Sequence, residues 1–206
     1  YNPNKVFSSI DHKGRYSFNN QPRIALWNLA RFAETILHLI DKEQKVAIKK
    51  VESVLKFFEK KYHKLWLSMM KNKLLINNIK QNDEKLIMEL LDLMHVFKLD
   101  YTNTFIDIEN NQIDKYDFMK NWFNKLKERR KLNDDNNKFS TNKSNPKIIP
   151  RNHLIEKILN ESEKGKYINL IKFLKNLNNP YSEKIDKDFQ KEPTEEEKIQ
   201  ETFCGT

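Results

Sequence analysis

Chemistry in a polypeptide needs nucleophiles, proton carriers, metal ligands or a backbone shaped to hold phosphate. This chain carries five histidines, His12, His38, His63, His95 and His153, and one cysteine, Cys204. None of the histidines stands beside a second His or Cys at the helical spacing of a metal site. His38 and His95 fall in apolar helical stretches, where a hydrogen-bonded structural imidazole is expected. Cys204 is third from the end and has no base near it in sequence, so the held geometry of covalent catalysis is missing. The only glycines are Gly14, Gly165 and Gly205. That excludes a glycine-rich phosphate loop and the dinucleotide fingerprint. The residues themselves therefore supply no catalytic, cofactor-binding or metal-ligating candidate.

Two polar clusters remain. Asp11-His12-Lys13-Gly14-Arg15-Tyr16 reads as a tight salt-bridged turn around a permissive glycine. The competing reading makes it a loop facing an anion, with Arg15 as the phosphate contact. Asp100-Tyr101-Thr102-Asn103-Thr104-Phe105 carries short polar side chains suited to helix capping and inter-helix hydrogen bonds.

The elements that must position these clusters are helical. Asn19-Asn20-Gln21-Pro22 opens a helix that runs to Ile40 and is apolar on more than one face, as in a helix buried on most sides. From Glu43 to Leu75 an amphipathic stripe recurs with helical period. Asn82 is expected to cap a helix with Leu86, Leu90, Leu93, Met94 and Phe97 inside, and Asp100 a short one through Phe105. Asp114 is expected to open another with Phe118, Met119, Trp122, Phe123 and Leu126. Two more helices, 150–162 and 164–177, hinge near Gly165. No alternation favours strands, so the fold class is all-α. The organisation expected is 1–130 helical, 131–148 an Asn-rich loop or insertion, 149–180 carboxy-terminal helices, and 181–206 an acidic, mostly irregular tail.

Composition bounds the partners. The 206 residues are 38% hydrophobic and 33% charged, with net charge +9. The 38 basic residues are interleaved with 29 acidic ones along the same helices, so a solvated surface is favoured over a nucleic-acid site. One thiol cannot form an internal disulfide, which favours a reducing compartment. No run of about 18 apolar residues exists, so no membrane-spanning helix is expected.

The chain resembles the SelO family of protein adenylyltransferases. The anchors are Tyr1-Asn2-Pro3, the stretch from Asp11 to Phe18, Asn20-Gln21-Pro22 and Ala25 to Arg31. Further on they are Leu90-Leu91, Asp100 to Phe105, Asn145-Pro146-Lys147, Pro150 to His153, Asn179-Pro180-Tyr181 and Cys204-Gly205-Thr206. The resemblance implies the helical carboxy-terminal portion of a protein-kinase-like fold, with 1–130 in its large lobe. It implies an enzyme that uses ATP with magnesium to transfer AMP to Ser, Thr or Tyr hydroxyls of protein substrates. By that likeness the nucleotide loop, the ion-pair lysine and the metal-binding residues all precede Tyr1, so none is placed here. Val6-Phe7-Ser8-Ser9 stands where some members have a cysteine able to pair with the terminal one, which argues against such a bridge to Cys204.

Tyr1 in place of an initiating Met predicts a fragment, inactive alone, whose partner is an amino-terminal catalytic half. The helix from Pro22 to Ile40 would pack on that half and expose an adhesive patch without it. The resemblance implies a cytoplasmic location in a bacterium and a mitochondrial one in a eukaryote. The alternative function is a basic, non-enzymatic helical interaction domain for nucleic acid or protein.

Overall fold

The computed structural model describes residues 1–113, 115–132 and 144–199. Among the described residues the regular elements are all helical. They are α1 (Gln21–Thr35), α2 (Leu37–Ile40), α3 (Gln44–Leu55), α4 (Phe58–Lys73), α5 (Asp83–Val96), α6 (Tyr101–Glu109), α7 (Lys120–Lys131), α8 (Asn152–Glu163) and α9 (Ile168–Leu177), with three short 3-10 turns. No described helix is long and apolar enough to cross a membrane. The chain forms two compact units, one of residues 2–68 and one of Tyr1 with the described residues from Met69 onward.

In the unit of residues 2–68, α3 packs against α1 and α2. Its buried apolar residues are Ile24, Ala33 and Ala47. The helix expected from Pro22 to Ile40 is in fact two. Thr35 Oγ1 donates back to Phe32 O at 2.7 Å, and Ile36 N bonds Ala33 O in a tightened last turn. Two successive β-branched residues and a hydroxyl that competes for the backbone end α1 there. Nor is the helix buried on most sides: Trp27, Leu29 and Phe32 are 46%, 43% and 61% exposed. Within this unit α1 packs against α3 and α2 yet leaves these side chains outside. The stretch from Glu43 to Leu75 also breaks, at Lys56-Phe57 between α3 and α4. His38 and His95, expected as structural imidazoles, are both exposed.

The other unit holds the larger core. α5 buries Leu86, Ile87, Leu90, Leu91 and Met94 on one face at helical spacing. α7 packs on it and buries Trp122, Phe123 and Leu126. Trp122 Nε1 donates to Leu86 O at 2.8 Å, so the indole is buried with its polar atom satisfied. Of the residues expected inside α5, Phe97 is instead exposed and stacks on Phe118. α6 is one turn longer than expected and buries Phe105 and Ile108. Asp114 and residues 133–143 lie outside the described residues, but Asn145 and Lys147, expected in the loop, are buried.

A separate cluster joins Ile148, Ile158 of α8, Phe173 of α9, Ile185 and Phe189. The described stretch after Pro180, residues 181–199, is irregular in backbone apart from a 3-10 turn at Lys187–Gln190, yet it anchors that cluster through two side chains.

α4, α5, α6 and α8 end alike. Ile76 N, Leu99 N, Gln112 N and Lys166 N each reach back over a left-handed residue, to Lys71 O, Met94 O, Asp107 O and Glu161 O. That residue is Gly165 (φ +74°) after α8, but Leu75, Lys98 and Asn111 after the other three. A non-glycine residue there costs about 1 kcal/mol. Lys98→Gly is therefore expected to raise stability by up to about 1 kcal/mol, net of added unfolded-state entropy. Phe105→Ala, at a position 1% exposed, is expected to lower it by about 3–5 kcal/mol. Urea unfolding of both variants checks the two signs.

Candidate functional site

The two polar clusters meet different fates. Asp11 accepts from Arg15 N at 2.8 Å and Tyr16 N at 2.7 Å, while Gly14 turns the chain at φ +65°. The expected ion pair in this turn does not form, because the carboxylate serves backbone N–H groups instead. The Arg15 guanidinium lies over the Trp27 ring, 4.2 Å from its centroid. Asn20 Nδ2 and Gln21 Nε2 donate back to Arg15 O and Tyr16 O. The loop is thus clamped to the start of α1. The Asn20 side chain does not cap α1.

The second cluster builds a buried polar network. Asp100 caps α6, accepting from Asn103 N at 2.8 Å. Its two oxygens also receive a bidentate guanidinium, Arg151 Nη1 at 2.5 Å and Nη2 at 2.9 Å. Arg151 Nη2 reaches Asn103 Oδ1 at 3.2 Å, and Asn103 Nδ2 donates to Gln190 O and Glu192 Oε1. Thr104 Oγ1 donates to Asp100 O at 2.6 Å. The Arg151 side chain is 8% exposed and that of Asp100 16%. Burial pushes the Asp100 carboxyl up, but the Arg151 and Asn103 hydrogen bonds and the Arg151 charge outweigh it, leaving the carboxyl below its usual 3.8. Such a group stays ionised at neutral pH and fully engaged.

A neighbouring latch closes α4. Asn145 Nδ2 donates to Lys73 O at 3.0 Å, and Lys73 Nζ returns to Ser144 O at 3.1 Å. The Lys73 ammonium also lies over the Tyr101 and Phe105 rings. Burial pulls its pKa down, with Glu109 opposing. Lys147 N donates to Pro180 O at 2.6 Å, and its Nζ faces Glu109 at 3.4 Å. Arg130 Nε donates to Leu74 O, and burial lowers the Arg130 pKa to about 10, which still leaves it cationic at neutral pH.

Segments far apart in sequence are brought together here: Asp100–Asn103, Asn145–Lys147, Arg151 and Pro180. Asp100 as a cap is legible in the sequence. Its pairing with Arg151, 51 residues on, carries no local signal, and neither does the burial of Lys73 and Asn145. Among the described residues no group of three or more His, Cys, Asp or Glu could hold a metal. Cys204 lies outside the described residues.

Removing one partner of a buried pair strands the other. Arg151→Ala is expected to cost about 3–5 kcal/mol, and Asp100→Asn, which keeps a capping oxygen, less. Because the folded carboxyl titrates below 3.8, its contribution is complete above that value and lost as pH falls through the lower, folded one. Acid unfolding of Asp100→Asn should therefore show a flatter pH slope below about pH 4 than the wild type. Equal slopes would show that Asp100 titrates alike in both states.

The protein adenylyltransferase SelO family model matches residues 1–178. The chain is 39% identical over 216 residues to protein nucleotidyltransferase YdiU of Clostridium perfringens (strain ATCC 13124). It is 42% identical over 218 residues to protein nucleotidyltransferase YdiU of Clostridium botulinum (strain 657 / Type Ba4). Both matches cover 100% of this chain and 44% of the relative, so the chain spans less than half the length of these relatives. By the family match over most of its length, the chain belongs to the SelO family of protein adenylyltransferases.

Proposed function

We propose that this chain is the helical carboxy-terminal part of a protein adenylyltransferase with a kinase-like fold, in which it completes and braces the large lobe. The observation that carries this reading is the end-to-end match to protein nucleotidyltransferases of which it spans 44%. Residues preceding Tyr1 would hold ATP and magnesium. There a Ser, Thr or Tyr hydroxyl of a protein substrate would attack the α-phosphorus of ATP. The bond to pyrophosphate breaks, and the hydroxyl proton passes to a base in that same half.

Two features support the division of labour. Three glycines in 206 residues leave no loop for close approach to phosphates. The described polar network is engaged internally, its carboxylate paired with a buried arginine. The role of this part is then to present rigid helices. The apolar side chains left outside on α1, such as Trp27 and Phe32, suit a surface that the amino-terminal half covers.

The test is label transfer from α-labelled and γ-labelled ATP to a protein acceptor, using the whole protein and the 206-residue chain in parallel. The whole protein is expected to transfer the α-label and not the γ-label, and the chain alone neither. Transfer by the chain alone, or γ-label transfer by the whole protein, would overturn the reading.

A further inference from the structure

Tyr1 is set apart from the residues that follow it. It belongs with the unit that resumes at Met69, whereas residues 2–68 form the other. Its backbone nitrogen donates to Leu99 O, at the corner between α5 and α6. Its ring tilts against Tyr101, with centroids 5.7 Å apart. Burial, and then the charge of the Asp92 carboxylate, push its hydroxyl above the usual 10. Nitrogen, ring and hydroxyl thus hold Tyr1 along the end of α5, from Leu99 back toward Asp92. The bond to Leu99 O needs one N–H, which a peptide nitrogen supplies as well as a terminal amine does. This seat therefore survives when further residues precede Tyr1.

An apolar surface lies on the same end of α5. Val96 is 69% exposed, and Phe97, stacked on Phe118, is exposed with it. Leu93, Val96, Phe118 and Trp122 line a cleft of about 350 Å³ between α5 and α7, and Asp92 lines it too. Asp92 is thus common to the cleft and to the surroundings of Tyr1. α5 rises about 1.5 Å per residue, so Asp92 and Leu99 are roughly 10 Å apart along it, a span that about three or four extended residues cover. The Tyr1 nitrogen also feels the charges of Asp100, Glu192 and Lys198. Glu192 and Lys198 are exposed and polar, and offer no apolar surface to bury.

We propose that the few residues immediately before Tyr1 in the whole protein lie in this cleft between α5 and α7, with apolar side chains against Val96 and Phe118, and that this last segment docks the amino-terminal half onto the unit. This docking rests on the reading that such a half precedes Tyr1. More than half of each relative lies outside the match, so there is chain to supply the segment. Covering Val96 and Phe118 removes apolar surface from water, which favours the docked arrangement.

The test places a photoreactive benzophenone side chain in the whole protein in place of Val96 and reads the captured residue by tandem mass spectrometry. Capture is expected among the first few residues before Tyr1, several-fold more often than with the same probe in place of Glu192. Phe97 is the second probe position if the Val96 variant does not fold. Val96→Asp, which puts a charge into the cleft, should make the peptide running into Tyr1 exchange its amide hydrogens several-fold faster. Capture elsewhere in the amino-terminal half, capture confined to Tyr1, stronger capture from position 192, or unchanged exchange in Val96→Asp would overturn the docking. The link is read whether or not AMP is transferred. A protein that forms it and transfers no α-label would retain the docking and lose the activity reading.

Discussion

The larger unit depends on one buried ion pair. Asp100 has a helix to cap and Arg151 has a charge to place, and each meets the other's need. Neither would be tolerated alone in that position: a carboxylate or guanidinium so far from water must be matched in charge and in hydrogen bonds. The match is bidentate, and Asn103 extends it to the backbone at Gln190. A single side-chain constellation thereby fixes the start of α6, the entry to α8 and the stretch beyond the 3-10 turn at Lys187–Gln190.

The hydrophobic cluster around α8 and α9 adjoins that pair. With Arg151 held, Ile158 of α8 and Phe173 of α9 meet Ile148, Ile185 and Phe189. The Asn145–Lys73 latch fixes the chain a few residues earlier, at the end of α4. Oil-like burial supplies most of the driving force, while the polar groups decide register. An apolar cluster alone would accept several sliding arrangements of short helices; a bidentate pair accepts one.

Helix type and the core faces of α5 and α7 were legible in the sequence because a 3.6-residue period repeats over three or more turns there. The Asp100 cap was legible because capping is local. What escaped depends on distance or competition. Arg151 finds Asp100 across 51 residues with no pattern between them. The breaks at Ile36 and Lys56-Phe57 interrupt apolar periodicity that runs straight through both. His38 and His95 sit among apolar neighbours in sequence but point outward, since a helix has an outside even in an apolar stretch. The buried pair of Arg129 with Asp83, 46 residues apart, was equally invisible.

We propose that the Asp100–Arg151 network positions helices and takes no part in the AMP transfer proposed for the whole protein. The test is to carry Arg151→Met together with Asp100→Asn in the whole protein and measure the rate of the proposed AMP transfer below the unfolding temperature of the variant. Methionine fills the space of the arginine stem, and asparagine keeps the cap. A rate close to that of the unsubstituted protein is expected, with any loss confined to stability. A folded double variant that has lost turnover would contradict it and place Arg151 and Asp100 in the reaction.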